Sequence, residues 1–273
     1  MAPSHQPAPA YLRTFSTLGC PELSLTQVFA LARAHRIAAV ELRALEGQLD
    51  LPAYFAARGD SPTALAAEVA ASGIRVVSLG TSLRLIDGTE EDRARFLEFV
   101  PWAEALGVAR LRVFDGGTDA GADELEHAAG AIRWWRALRA QRGWKTDLMV
   151  ETHDALTTSP AILRLAAEVP GLAVLWDTHH TWKLGGEQPA GTWAAIRAHV
   201  AHIHVKDSAP DLAPGAPTAY VLPGTGVFPM AALRAALAGG YSGPLSLEWE
   251  RQWHPELPPL DLALRAAAER AWW

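Results

Sequence analysis

Short apolar runs typical of β-strands alternate with longer runs of helical periodicity along nearly the whole chain. Eight such runs predict strands, at Leu12–Leu18, Ala38–Leu42, Arg75–Leu79, Arg110–Phe114, Asp147–Thr152, Ala173–Asp177, Ala201–Lys206 and Leu245–Trp249. Eight strand–helix repeats in 273 residues indicate an α/β protein. We therefore predict a single (β/α)8 TIM barrel over residues 11–273.

The segments between the strands are rich in Ala, Leu and Arg. They predict helices at Leu25–His35, Thr63–Ser72, Glu90–Leu106, Asp123–Gln141, Pro160–Glu168, Pro189–His199, Pro229–Ala238 and Leu260–Trp272. Glycine follows several of these helices, as helix ends favour: Gly73, Gly107, Gly143, Gly171 and Gly240. An open doubly wound sheet is the alternative, but Gly19-Cys20-Pro21 stands where its glycine-rich dinucleotide turn would follow the first strand.

Composition narrows the class of protein. The chain is 49% hydrophobic and 20% charged, and its net charge of −6 with no basic run disfavours a nucleic-acid partner. Cys20 is the only cysteine, which rules out an intrachain disulfide and favours a reduced, cytoplasmic compartment. No apolar run has the length of a membrane span. Residues 1–10 lack the features of a signal peptide, so we expect a flexible N-terminal tail there.

Metal-ligand side chains stand at the ends of four consecutive predicted strands: Glu151, Asp177, His204 and Glu248. A single strand-end carboxylate is more often a helix cap or part of a salt bridge. Four in succession indicate one convergent site, because the carboxyl ends of barrel strands share one mouth and buried charges need partners. Three carboxylates and one imidazole suit one divalent ion per chain, with Mn²⁺ favoured over Co²⁺, Mg²⁺ or Zn²⁺.

These residues also carry a family resemblance. The marks are the Asp-x-x-His of Asp177–His180, the His-x-Lys-Asp of His204–Asp207 and the Gly-Tyr-x-Gly-x-x-x-x-Glu of Gly240–Glu248. In this order the chain resembles the xylose isomerase-like TIM-barrel superfamily, which includes sugar phosphate isomerases and epimerases, inosose dehydratases and family 2 apurinic-site endonucleases. The resemblance implies that Glu151, Asp177, His204 and Glu248 bind metal and that His180 and Lys206 contact substrate.

The endonuclease branch of that family needs three zinc ions and further histidines. Here the third strand ends Val77-Ser78-Leu79, the fourth reads Val113-Phe114-Asp115, and no histidine occurs between Asp207 and Gly224. A trinuclear site is therefore not expected. One ion favours proton movement next to a carbonyl over phosphodiester hydrolysis.

The expected reaction uses two carboxylates. A metal that polarises a carbonyl makes the adjacent C–H acidic, and Glu151 and Glu248 are the predicted bases that take and return the proton. This predicts an isomerase or epimerase of a sugar or sugar-like ketone. A dehydratase of the inosose or 3-dehydroshikimate type shares the same ligands and stays open, and a non-catalytic sugar-binding barrel is the alternative from another class.

Other polar residues have two interpretations each. Glu41 ends the second strand, where it is either a substrate or supporting carboxylate or a salt-bridge partner of Arg43. His153 shares the facing of Glu151 and is predicted to orient a ligand or bind substrate. His179 and His202 are predicted to be structural. Arg112, Asp115 and Asp207 are secondary candidates at the mouth.

Tryptophans and one long loop surround the predicted mouth. Trp176, Trp182, Trp249 and Trp253 are compatible with stacking on a sugar or with plain packing. Trp134-Trp135 and Trp272-Trp273 are remote from the ligands, where they pack helices or form a contact in a homo-oligomer. The proline-rich segment from Asp207 to Phe228 is predicted to act as a lid.

Overall fold

The computed structural model describes residues 11–211 and 218–273. The predicted tail at residues 1–10 and part of the predicted lid, residues 212–217, lie outside the described residues. Eight strands occur in the described chain: β1 Leu12–Phe15, β2 Ala39–Leu42, β3 Arg75–Arg84, β4 Arg110–Phe114, β5 Asp147–Glu151, β6 Val174–Asp177, β7 Val200–Val205 and β8 Pro244–Leu247.

The strands form one parallel sheet in the order β1-β8-β7-β6-β5-β4-β3-β2. A parallel bridge between Ser16 and Glu41 joins the two outer strands, so the sheet curls into a nearly closed barrel. The prediction of a single (β/α)8 TIM barrel is confirmed.

Ten helices surround this sheet in the described residues. They are α1 Leu25–Ala34, α2 Leu51–Ala57, α3 Pro62–Ser72, α4 Glu90–Leu106, α5 Ala122–Arg142, α6 Ser159–Glu168, α7 Thr178–Lys183, α8 Pro189–Ile196, α9 Met230–Leu237 and α10 Leu260–Glu269. Side-chain caps fix several starts, as at α1 and α4, where Ser24 and Thr89 complete capping boxes. None of the described helices combines the length and apolarity that crossing a membrane requires.

Most elements differ from the sequence prediction by one to three residues at an end, and five differences affect the interpretation. The first strand ends at Phe15 because Ser16 caps a 3₁₀ turn over Thr17–Gly19. The third strand continues to Arg84, and the last ends at Leu247, so Glu248 follows the strand. Helices α2 and α7 were not predicted, because each is short and depends on an aspartate cap, Asp50 for α2 and Asp177 for α7, and Asp177 had been interpreted only as a metal ligand.

The apolar core lies between the sheet and the helices. Large aromatic side chains fill it, with Trp176 stacked on Trp193 and Trp135 meeting Phe96 edge-on. The space inside the barrel toward its carboxyl end is instead lined by buried polar side chains. Since such groups are costly to bury, this end of the barrel is the part of the fold that needs a functional explanation.

Candidate metal centre

The four predicted ligands come together at the carboxyl end of the barrel. Glu151 and Asp177 are the last residues of β5 and β6, His204 lies in β7, and Glu248 follows β8. Each offers one ligand atom, and these atoms lie within 4.8 Å of one another. All four side chains are buried. The arrangement provides three carboxylate oxygens and one imidazole nitrogen in one place.

Buried atoms without hydrogen bonds mark this cluster as a fit for a cation. His204 Nδ1 lies 3.3 Å from Glu151 Oε1 and 3.2 Å from Glu248 Oε1, yet it makes no hydrogen bond. Glu151 Oε2 and Asp177 Oδ2 are also buried without a hydrogen bond, although Arg112 Nε and Lys206 Nζ lie 3.3 Å and 2.9 Å from them as ion-pair partners. Because buried polar atoms without hydrogen bonds are costly and hard oxygens with an imidazole suit divalent ions, these residues can hold a metal.

The charges of the cluster depend on one another. Although burial opposes ionisation and Glu248 repels it, Arg112 and His204 lower the pKa of Glu151 to about 2. Burial likewise opposes the charge of Glu248, but His204 and Lys206 lower its pKa well below the usual range. Burial disfavours a charged His204, yet the carboxylates of Glu248 and Glu41 raise its pKa well above the ordinary value. Glu151 and Glu248 are therefore ionised at neutral pH.

Glu41 contacts His204 at the ring nitrogen that faces away from Glu151 and Glu248. Its Oε2 lies 2.8 Å from His204 Nε2, 3.3 Å from His202 Nε2 and 3.2 Å from Ser246 Oγ. A carboxylate at Nε2 leaves Nδ1 as the nitrogen that faces the carboxylate cluster, the arrangement common in metal-binding histidines. Glu41 does not line the cavity and forms no ion pair with Arg43 among the described residues, so the structure favours support of His204 over the predicted substrate contact.

His202 is deeper in β7, as predicted, but it belongs to a polar chain rather than to apolar packing. Its Nε2 lies 2.7 Å from Ser246 Oγ, which in turn lies 2.6 Å from Thr14 Oγ1. Burial lowers the pKa of His202 to about 4, so the ring is neutral at neutral pH.

Lys206 is the internal cation of the site. Its Nζ lies 2.9 Å from Asp177 Oδ2 and 2.7 Å from Glu248 Oε2, and it also pairs with Glu250. The side chain is 1% exposed and still forms part of the cavity wall. Three carboxylates raise its pKa well above the ordinary lysine value against the effect of burial, so Lys206 is an ammonium group and not a base. Its predicted contact with substrate stays a prediction.

Asp177 has two roles that use different oxygens. Oδ1 accepts hydrogen bonds from the backbone N–H groups of His179 and His180 and so caps α7, while Oδ2 faces the cluster. His180 therefore lies in the first turn of α7. Its Nδ1 lies 3.0 Å from the carbonyl oxygen of Thr152, and its ring lines the cavity. His179 turns away to Ser208 Oγ, 2.9 Å from its Nε2.

His153 lies at the rim of the cavity, on the segment that follows β5. Its Nδ1 is 2.9 Å from Asp154 Oδ1, and its ring meets those of Phe114 and His180 edge-on at 4.8 Å. Burial opposes its charge, but the carboxylates of Asp154 and Glu151 raise the pKa of His153 to about 9. It is therefore an imidazolium at neutral pH.

Asp115 and Asp207 fix the segments around the mouth rather than lining it. Asp115 accepts backbone hydrogen bonds from His153, Asp154 and Leu156, which holds the loop that carries His153. Asp207 accepts backbone hydrogen bonds from residues of the predicted lid segment, namely Ser208, Gly224, Gly226 and Phe228. Both aspartates therefore contribute to the site by holding backbone segments in place.

Two arginines enter the cavity wall from β4 and from the residue after β2. Arg112 Nε lies 3.3 Å from Glu151 Oε2, and its Nη1 donates to the carbonyl oxygen of Thr81. Arg43, which sequence reasoning treated only as a partner for Glu41, is 4% exposed and lines the same cavity. Burial and the neighbouring charge of Arg112 lower the pKa of Arg43 to about 9. No sequence motif distinguishes this arginine.

The cavity above the ligands is small, with a volume of about 70 Å³. Its wall combines Glu151, Glu248 and Lys206 with the imidazoles of His153 and His180, and Trp253 at its edge is 53% exposed. Trp182 packs on Phe228 and His179 instead, and Trp249 is buried with its Nε1 donating to the carbonyl oxygen of Pro258. A site of this composition can bind a cation and polar ligand groups and can move protons.

Known structures share this architecture. A protein from Bacillus anthracis described as a probable 3-DHS dehydratase matches with a TM-score of 0.73 and 19% identity, over 94% of this chain and 99% of that one. A xylose isomerase domain containing protein from Salmonella typhimurium matches with a TM-score of 0.73 and 16% identity, over 96% and 98%. An AP endonuclease, family 2, from Brucella melitensis matches with a TM-score of 0.64 and 17% identity, over 96% and 98%.

At these identities the structural matches support the fold alone. A comparison with curated proteins gives no significant match. The sequence profile of the xylose isomerase-like TIM barrels, by contrast, matches residues 29–272, which is most of the chain. The chain belongs to the xylose isomerase-like TIM-barrel family.

Proposed function

We propose that the protein is a divalent-metal-dependent isomerase or epimerase of a sugar or sugar-like ketone that acts by proton abstraction next to a carbonyl. The observation that carries this proposal is the convergence of buried ligand atoms from Glu151, Asp177, His204 and Glu248, within 4.8 Å of one another. We favour one Mn²⁺ ion per chain, because three carboxylate oxygens and one imidazole suit an ion between the hard and the borderline class.

A divalent ion bound by these residues supplies Lewis-acid polarisation of a substrate carbonyl. Proton transfer is the task of the chain itself. Glu151 and Glu248 are ionised, and they enter the site from β5 and from the end of β8. A carboxylate that accepts the proton from carbon can return it to the opposite face or to the neighbouring carbon. The first outcome is epimerisation, and the second is aldose–ketose isomerisation.

The remaining cavity residues are suited to binding and orienting substrate. His180 of α7 and Lys206, the residue after β7, both line the cavity. Trp253 offers an exposed aromatic face at the edge of the cavity, which suits the apolar side of a sugar. We propose that these three residues hold the substrate while Glu151 and Glu248 move the proton.

One observation favours a dehydratase as the second candidate. His153 lines the cavity, lies outside the ligand set, and carries a proton because the pKa of its ring is raised to about 9. An imidazolium at that position is suited to protonate a departing β-hydroxyl group, which would convert proton abstraction into loss of water. The dehydratase and the isomerase share Glu151 and Glu248 and differ in the use of His153.

The test is solvent exchange. Metal-loaded protein is incubated in D₂O with ketoses, aldoses and inososes, and mass spectrometry follows deuterium uptake and loss of water. We expect exchange at the carbon next to the carbonyl, and a decrease of about 10²- to 10⁴-fold in Glu151→Gln and Glu248→Gln. Glu256→Gln, at an exposed position outside the cavity, is the matched control and should exchange at the unaltered rate.

Three results would contradict the proposal. If the unaltered protein retains no ion after metal loading, the proposed metal centre is refuted. Two glutamine variants that bind metal and exchange deuterium at the original rate would make the two glutamates dispensable and direct attention to His153. Ligand binding without exchange on the whole panel would favour a non-catalytic sugar-binding barrel.

A further inference from the structure

Arg43 and Arg112 place two guanidinium groups side by side in the wall of the catalytic cavity. They are 4% and 2% exposed, so both groups are almost completely removed from water. Burying one cationic group is costly unless a partner compensates it, and two adjacent ones repel each other as well. The partners of each arginine therefore show what the pair is arranged to bind.

The charge of Arg112 is compensated within the protein. Its Nε lies 3.3 Å from Glu151 Oε2, its Nη1 donates to the carbonyl oxygen of Thr81 at 3.0 Å, and its guanidinium carbon lies 4.0 Å from the centre of the Phe114 ring. Arg112 is thus fixed in position by groups that are all present in the folded chain.

Arg43 makes no such direct contact with a charged or aromatic group, and the carboxylates of Glu151, Glu248 and Glu41 act on its charge only from a longer distance. Its Nη2 donates to the neutral Ser82 Oγ at 3.0 Å, while Nη1 is buried without a hydrogen bond. No carboxylate of the described residues comes within ion-pair distance, 4.0 Å, of this guanidinium. The nearby acids have other cations: Glu248 and Asp177 contact Lys206, and Glu41 contacts His204. Arg43 is therefore a cationic residue of the cavity wall without a carboxylate in ion-pair contact among the described residues.

Gly80 shows that the backbone is arranged around the pair. A Cβ atom at this position would lie 2.6 Å from Arg43 Cδ and 2.9 Å from Arg112 Nη2. Its backbone does not adopt the left-handed conformation that favours glycine, so the reason for glycine here is space. Both arginine side chains cross over the strand at the one residue of β3 that lets them pass.

We propose that Arg43, beside Arg112, binds an anionic oxygen group of the substrate, so that the substrate is a carboxylate- or phosphate-bearing compound rather than a neutral sugar. This inference rests on the proposed function, because it places the anion in the cavity that also holds the proton-transfer residues. A guanidinium with a free N–H matches the oxygens of either group, and its charge then has a partner. Arg43 acts as a specificity-determining residue.

Matched pairs of probes test the proposal without requiring turnover. Calorimetric titration of metal-loaded protein compares glucose 6-phosphate with glucose and shikimate with its neutral methyl ester. We expect the anionic member of at least one pair to bind more tightly, and Arg43→Gln to weaken its binding by roughly 10- to 100-fold, the value of a hydrogen bond to a charged group. Binding of the neutral members should not change.

The design separates the two anion sources and guards against misfolding. Preference in the glucose pair indicates phosphate, and preference in the shikimate pair indicates carboxylate. Arg43→Lys keeps the charge but loses the planar guanidinium group, so its affinity for the anionic probe should lie between those of the unaltered protein and Arg43→Gln. If the glutamine variant does not fold, the lysine variant provides the test. Arg133→Gln, an exposed change on α5, is the control and should bind every probe as the unaltered protein does.

No preference for the anion in either pair would overturn the inference, and so would a preference that survives unchanged in Arg43→Gln and Arg43→Lys. Solvent exchange is measured separately. Anion binding that depends on Arg43, in a protein that exchanges no deuterium, would support this inference and refute the proposed reaction. Deuterium exchange that occurs only with neutral sugars would support the proposed reaction and refute this inference.

Discussion

Glu41 and His204 show how single residues prepare the site. The imidazole has two nitrogens, and the carboxylate that lies 2.8 Å from Nε2 decides which of them faces Glu151 and Glu248. A histidine between three carboxylates is protonated in the metal-free protein, since Glu248 and Glu41 outweigh burial and raise its pKa. For the proposed metal centre this predicts that binding of an ion releases a proton from His204, and that Glu41 keeps the ring oriented during this exchange.

Replacing Glu41 should weaken metal binding without removing a ligand. Glu41→Gln keeps an acceptor near His204 Nε2 but loses the charge, and Glu41→Ala loses both, so we expect losses of about 10-fold and about 100-fold in metal affinity. Competition with a chelator measures the affinity. Glu46→Gln, at an exposed carboxylate in the segment after β2, is the control and should bind metal normally. Unchanged affinity in both Glu41 variants would remove its assigned role.

Short elements at the carboxyl ends of the strands determine what the mouth looks like. Helix α7 exists because Asp177 caps it, and the cap brings His180 back over the cavity. The segment after β7 is fixed by Asp207, which accepts hydrogen bonds from the backbone at Ser208 and Phe228 through Oδ1 and at Gly224 and Gly226 through Oδ2. A Cβ at Gly226 would lie 2.3 Å from Asp207 Oδ1, so glycine is required by this close approach.

Removing the Asp207 carboxylate should loosen this segment. Asp207→Ala leaves four backbone N–H groups without their acceptor, and we expect a loss of about 3 kcal/mol in the free energy of unfolding together with faster amide exchange at Gly224, Gly226 and Phe228. Hydrogen exchange and urea denaturation are the measurements. Asp123→Ala, at an exposed position of α5, should change stability by less than about 0.5 kcal/mol. Unaltered exchange at the three amides would contradict the anchoring role.

At the scale of the whole molecule, the barrel buries titratable groups that link folding to pH. His179 packs against Trp182 and Phe228, and burial together with Lys206 lowers the pKa of its ring to about 2. The folded state thus keeps this histidine neutral, whereas in the unfolded chain it titrates near pH 6.5. Its contribution to stability is complete above that pH and is lost as the pH falls toward 2.

Replacing His179 by a residue that does not titrate should flatten the acid limb of the stability curve. Between pH 7.5 and 5.0 the free energy of unfolding of the unaltered, metal-free protein should decrease by about 2 kcal/mol more than that of His179→Gln. The reason is that His179 gains its proton only in the unfolded state. Urea denaturation in the presence of a chelator at both pH values gives this difference. His127→Gln, at an exposed histidine of α5, should follow the unaltered protein. Equal losses in His179→Gln and the unaltered protein would show that His179 takes up its proton without unfolding.

Local sequence pattern is sufficient to predict the barrel and the side chains that converge at its carboxyl end. Alternating strand and helix periods specify a (β/α)8 barrel, and in that fold residues at the ends of successive strands must meet, so Glu151, Asp177 and His204 could be named from their positions alone. Periodicity carries no signal for a helix as short as α7, which depends on one capping carboxylate, and so its helical start was missed.

The neighbours of each polar residue follow from the tertiary structure and not from local pattern. Glu41 and His204 are far apart in sequence and lie 2.8 Å from each other only because β2 and β7 curve around one barrel. Arg43 stands next to Arg112 because Gly80 of β3 leaves room for both side chains. Such contacts depend on the three-dimensional packing of distant strands, which local periodicity does not encode, and they determine the orientation of the His204 ring and the charge of the cavity wall.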